Sequence, residues 1–188
     1  MRLFLIVYIT LSFCSCTQQR LIKDVQQFIG QTIIFPSTVN TTWNGIDTVV
    51  TDFMDVPIKL VVWQNSHSCT PCEMNNLYEW NDVIKYADSL SQWFRVAYIF
   101  TPKKEDLLSV KTALKAKKLD YPIFIDQNAT FKKLNPRLPK NQLLHTFLLD
   151  KSNRVVMVGS PLQNPSLWRL YMKTIQKIID NDGFMPEG

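Results

Sequence analysis

Cys69 and Cys72, separated only by Thr70 and Pro71, are the residues of this chain best suited to covalent chemistry. A thiol pair at this spacing can cycle between dithiol and disulfide, form a fixed structural disulfide, or supply half of a zinc site. The surrounding sequence favours the first. Residues 60–63 are an unbroken apolar run, Leu-Val-Val-Trp, with the pattern of a strand buried on both faces of a sheet. After Cys72, apolar residues recur at Leu77, Trp80, Ile84 and Ala87, the stripe of an amphipathic helix. The pair is therefore expected at a helix start, where unpaired backbone N–H groups and the positive end of the helix dipole stabilise a thiolate. Cys69 becomes the more acidic thiol and the expected nucleophile, and Cys72, one turn further in, resolves the mixed disulfide. Pro71 suits a first-turn position, since its missing N–H costs little there. His67, if protonated, would bring a positive charge near Cys69; its plainer reading is a solvated loop residue.

The other two cysteines close an apolar N-terminal run. Met1-Arg2 precedes residues 3–13, a stretch of signal-peptide length that is too short to span a bilayer as a stable helix. Small Ser15 stands before Cys16, and polar Thr17-Gln18-Gln19-Arg20 follows it. This arrangement resembles a bacterial lipoprotein signal, which implies cleavage before Cys16 and a lipid on its sulfur. Cys14 suits the role less, because bulky Phe13 would precede the cut. An ordinary cleaved signal, or two unmodified cysteines, are the alternatives. The expected organisation is a signal at residues 1–15, a lipidated linker at 16–29 and one domain at 30–188. The expected location is the bacterial cell envelope, facing the periplasm or the cell surface, with the membrane reached through the lipid.

Export leaves Cys69 and Cys72 as the cysteines of the folded domain. A mature chain of about 170 residues buries a core without disulfide staples, which excludes a small disulfide scaffold. With 46% apolar residues and only five glycines, disorder is excluded as well. The net charge is +5, and the positively charged residues are spread along the chain. A local cluster at Lys111, Lys115, Lys117 and Lys118 reads as a solvated helix face, and without a nucleic-acid motif beside it no nucleic-acid partner is expected.

The elements that must hold the pair follow in order. Residues 21–29 read as a short helix or lead-in, and residues 48–53 as a strand bounded by Asn44-Gly45 and Pro57, an N-terminal β extension with Trp43 as a packing residue. Beyond the cysteine helix come a second buried strand at 94–100 and a helix marked by Leu107, Val110, Leu114 and Leu119. A short strand at 121–126, a small helix at 129–134, a hairpin of residues 143–150 and 154–159, and a helix at 167–179 complete the chain. The order β-α-β-α-β-α-β-β-α gives an α/β fold in three layers, a mixed central sheet with helices on both faces.

With a CxxC after the first core strand and a late hairpin before a final helix, the chain resembles the thioredoxin fold. Within it, the chain is similar to the TlpA-like and redoxin branch of exported thiol-disulfide oxidoreductases. The residues that carry this are Cys69-Thr70-Pro71-Cys72, Tyr121-Pro122-Ile123-Phe124-Ile125-Asp126, and Thr146-Phe147-Leu148-Leu149-Asp150-Lys151 leading into Val155-Val156. The resemblance implies dithiol/disulfide exchange through Cys69 and Cys72 with no cofactor. It also implies protein disulfides as substrates, a thiol electron donor in the envelope, and a monomer.

The chain departs from the family at three points. Leu144 stands where these proteins usually carry a cis-proline, and a non-proline cis bond costs about 2.5–4 kcal/mol, so a trans peptide is expected. Ser68 replaces the aromatic residue before the first cysteine. Trp63 occupies the place of thioredoxin's buried acid and reads as plain core. The same alignment brings both histidines, His67 and His145, toward the cysteines. His145 then serves as a proton acceptor for Cys72, raises the thiolate fraction of Cys69, or stands on the hairpin edge facing solvent. Cys69, Cys72, His145 and His67 would also suit Zn²⁺ or Cu(I), as in copper-handling proteins of the Sco type, whose cysteine spacing is wider; a metal carrier is the alternative function.

Overall fold

A computed structural model describes residues 18–37, 40–50, 53–65, 77–117 and 120–186. The sheet has seven strands: β1 (Asn40–Trp43), β2 (Ile46–Thr48), β3 (Ile58–Gln64), β4 (Phe94–Phe100), β5 (Pro122–Ile125), β6 (Thr146–Leu149) and β7 (Val155–Val158), arranged β2-β1-β5-β4-β3-β6-β7. The helices are α1 (residues 18–28), α2 (Asn81–Ser89) entered through a 3₁₀ turn at Leu77–Trp80, α3 (Leu107–Lys117), α4 (Thr130–Leu134) and α5 (Pro165–Ile179). β3 pairs in parallel with β4, and β4 with β5, whereas β6, β7, β1 and β2 join antiparallel. The connections β3-α2-β4 and β4-α3-β5 are the helical crossovers that parallel pairing requires.

Period-2 alternation sorts the strand residues onto two cores. Ile58, Leu60 and Val62 of β3, with Val96, Tyr98 and Phe100 of β4, face α2, α3 and α5. Val61 and Trp63, with Ala97 and Ile99, face the other side. Both faces are covered, but unequally. Three helices take the first, while the second is closed by Phe28 of α1, Ile33, Phe131 of α4 and Leu138 of the following loop. The apolar stripe expected after the cysteines is buried as Leu77, Trp80, Ile84 and Ala87, joined by Val83.

The N-terminal extension differs from the sequence expectation. Of the strand expected at 48–53 only Thr48 is strand among the described residues, with residues 51 and 52 lying outside them. Asn44 and Gly45 are the two-residue loop of a β1–β2 hairpin, both with left-handed φ (52° and 74°). That is the backbone a type I′ turn needs, which an Asn-Gly pair adopts readily. A side chain at position 45 would also run into the Lys111 carbonyl, so the turn seats on α3. Trp43 does more than pack, since its indole Nε1 donates to Asp120 Oδ1 at 2.7 Å. Residues 30–33 go to the opposite edge, where the Gly30 and Ile33 N–H groups bond Val155 and Asn153. One extension thus shields both edges of the sheet.

Candidate active site

The chain leaves β3 at Gln64 and re-enters described structure at Leu77. His67, Cys69, Thr70, Pro71 and Cys72 lie between these points and outside the described residues, as does Cys16. The 3₁₀ turn Leu77–Trp80 follows them in the chain, and the chain entering β6 lies beside the end of β3.

Residues 143–145 are not strand, as the sequence pattern suggested. A 3₁₀ turn at Gln142–Leu144, opened by the Asn141 side chain accepting from Leu143 N, delivers His145 to the start of β6. The Leu144 side chain is buried, and no cis peptide bond occurs among the described residues. His145 O accepts from Trp63 N at 2.9 Å, which places His145 beside the C-terminal end of β3.

His145 does not face solvent: the residue is 3% exposed. Its ring lies 4.3 Å from the Trp63 ring, centroid to centroid, and its Nε2 is 2.9 Å from Pro139 O. A carbonyl oxygen only accepts, so Nε2 carries the proton and the neutral ring leaves its lone pair on Nδ1. Nδ1 is buried and has no hydrogen-bond partner among the described residues. Burial pushes the imidazole below its ordinary range; the Pro139 bond opposes this, and the Lys132 charge adds to it. Lys132 Nζ is 5.7 Å from the centre of the Trp63 ring and donates to Leu138 O. Its own affinity for a proton is lowered, chiefly by desolvation and then by Lys140. Trp63, read from the sequence as plain core, is thus held by Thr101 Oγ1, which accepts from its Nε1 at 3.2 Å, between a cation and a neutral histidine.

A cavity of about 350 Å³ opens on the other side of β3, among Val62, Gln64, Trp80, Tyr98, Leu143 and Leu162. Tyr98 is fully buried, and its hydroxyl has no partner. Burial holds its proton on well beyond the usual phenol range. Tyr121, its neighbour, resolves the same problem by accepting from Val96 N at 2.9 Å. Neither the cavity nor the orphaned hydroxyl was read from the sequence, because a tyrosine within an apolar strand gives no sign of whether its oxygen finds a partner.

No family model matches the sequence, and neither does any curated protein. Solved structures do match in shape. Enterococcus faecalis AhpC superposes with a TM-score of 0.53 at 12% identity, covering 85% of this chain and 99% of that one. A putative thiol:disulfide interchange protein DsbE from Chlorobium tepidum gives 0.51 at 11% identity, with 78% and 96% covered. The thioredoxin domain of a thiol-disulfide oxidoreductase from Bacteroides vulgatus gives 0.50 at 18%, with 78% and 97% covered. The fold is thioredoxin-like.

The strand order and the late hairpin place Leu144 and His145 at the junction into β6, next to β3. Among the described residues no group of three or more His, Cys, Asp or Glu side chains could hold a metal, and no helix is long and apolar enough to cross a membrane.

Proposed function

We propose that this thioredoxin-like chain is a thiol-disulfide oxidoreductase of the bacterial envelope that reduces protein disulfides. The observation that supports it most directly is the position of the CxxC in the chain. It follows by five residues the end of β3, an interior strand paired on both sides, and precedes the helical layer that covers it. Sites in open α/β sheets form at such carboxyl ends of parallel strands.

In the proposed reaction the Cys69 thiolate attacks one sulfur of a client disulfide, forming a mixed disulfide and expelling the client's other sulfur as a thiolate. Cys72, losing its proton, then attacks the Cys69 sulfur and expels the second client sulfur. The client gains two electrons and two protons, and the chain ends as the Cys69–Cys72 disulfide until a thiol donor reduces it. Thr70 and Pro71 set the potential of the pair. Neutral His145, with an unoccupied lone pair on Nδ1, is suited to take the Cys72 proton, and buried Leu144 fixes the loop before it. His67 would favour the Cys69 thiolate. Residues 1–15 act as a signal and Cys16 as the lipid attachment point, with residues 30–188 as the working domain.

The test is reduction of a protein disulfide by the purified protein with dithiothreitol as donor. Cys69→Ser is expected to abolish the rate above the dithiothreitol background. Undiminished turnover in that variant would refute the mechanism.

A further inference from the structure

The positive charge of this molecule is concentrated on one flank. Residues 127–149 contain Lys132, Lys133, Arg137 and Lys140 and no acid, and α1 adds Arg20 and Lys23 against Asp24. Six cations against one acid match the net +5 of the whole chain, so the remainder of the sequence is balanced. The two segments are adjacent in space. Arg137 Nη1 donates to Gln31 Oε1 at 3.0 Å, the Asn135 side chain bonds both the N–H and the carbonyl of Ile34, and Asp24, Gln27, Arg137 and Lys140 line one surface hollow. Lys133, Arg137 and Lys140 are exposed, and no ion pair among the described residues engages them.

The same flank carries exposed aliphatic side chains. Ile22 on α1 and Ile29 just past its end are 50% and 40% exposed; Ile34 is 53% exposed, and Leu134, next in sequence to the Asn135 that bonds Ile34, 38%. Cations interspersed with exposed aliphatics around a surface helix are the composition of an element that lies in a lipid interface, the charges on headgroups and the aliphatics at the acyl boundary. A soluble acidic partner would account for the cations but leave these isoleucines without a role.

We propose that α1 and the α4–β6 segment form a face that docks on an anionic lipid bilayer. It extends the proposed function without depending on the cysteine chemistry. α1 begins two residues after Cys16, so a lipid there would hold this face against the membrane.

The test is co-sedimentation of the full chain with phosphatidylcholine vesicles and with vesicles containing a quarter phosphatidylglycerol, in low and high salt. Each Lys or Arg near an anionic surface contributes about fivefold in partitioning. The wild-type chain is expected to prefer the anionic vesicles by at least about tenfold, with the preference lost near 0.5 M salt. The variant K133Q/R137Q/K140Q should lose the anionic preference, by up to about a hundredfold at fivefold per charge removed, whereas K173Q/K177Q on exposed α5 positions should leave the preference within about twofold. Equal partitioning of the wild type into both vesicles would overturn the proposal. So would equal losses in the two variants, which would mark a net-charge effect without a face. If the triple variant does not fold, the salt series on the wild type decides. Cys69→Ser separates this proposal from the redox one, since it is expected to leave vesicle binding unchanged.

Discussion

Protonation of His145 should weaken the fold, and the structure supplies the size of the effect. In the neutral ring Nε2–H donates to Pro139 O and Nδ1 accepts from nothing. A proton added to Nδ1 creates a buried donor with no acceptor, at a cost of about 1–3 kcal/mol. The nearby Lys132 charge raises that cost. The folded chain therefore holds its imidazole below the ordinary value of 6.5, while the unfolded chain keeps that value. Above 6.5 neither state binds the proton and the stabilisation is fully present; as pH falls, the unfolded state takes up the proton first and stability declines until the folded ring titrates too. Urea unfolding of the wild type between pH 8 and pH 5 should show a loss of about 1–2 kcal/mol, the upper end being the most that one group titrating at 6.5 in the unfolded chain can give by pH 5. His145→Gln, which can still donate to Pro139 O but does not titrate, should be flatter over the same range. A wild-type profile that is flat from pH 8 to pH 5, or a variant that follows it step for step, refutes the assignment.

Two further substitutions test the buried polar groups. Tyr98→Phe removes a hydroxyl that is buried without a partner, and should leave stability unchanged or raise it by about 1 kcal/mol, seen as a higher thermal midpoint. A loss of comparable size would mean that the hydroxyl has a bonded partner. Asp126→Ala should cost at least about 2 kcal/mol in urea unfolding, because Asp126 accepts from Thr130 N and from buried Phe131 N at 2.8 Å each and so organises the start of α4.

The central elements were legible because β3, β4 and β5 are mostly apolar on both faces and α2, between the first two, carries a clear stripe. Two features were not. The β1–β2 hairpin is built from Asn40-Thr41-Thr42-Trp43 and Ile46-Asp47-Thr48, short and polar, so its Asn-Gly turn read as a boundary when the more apolar run beyond it looked like the strand. Residues 143–145 are apolar enough to extend β6, but Asn141 caps a 3₁₀ turn through them, and a local side-chain bond outweighs pattern there. At the candidate site, the sequence reading brought His145 toward Cys69 and Cys72, which lie outside the described residues, and its burial was invisible. Nothing in the sequence around His145 shows that its ring meets Trp63 and the Pro139 carbonyl.

That enclosure bears on the loop in which relatives of this fold usually carry a proline. Here position 144 is leucine, and the junction into β6 is held by contacts in place of a ring. Trp63 N bonds the His145 carbonyl, the Trp63 indole packs on the imidazole, and Nε2 ties the imidazole to Pro139. A proline ring is indifferent to acid, whereas two of these three contacts run through a titratable side chain. Protonation keeps the Nε2–H bond but places a charge against a neighbourhood that already holds Lys132, so the strain falls on the segment between Pro139 and Thr146. The junction into β6 is therefore expected to weaken as pH falls. Global stability and client reduction should decline over the same pH interval, and substituting His145 should uncouple them.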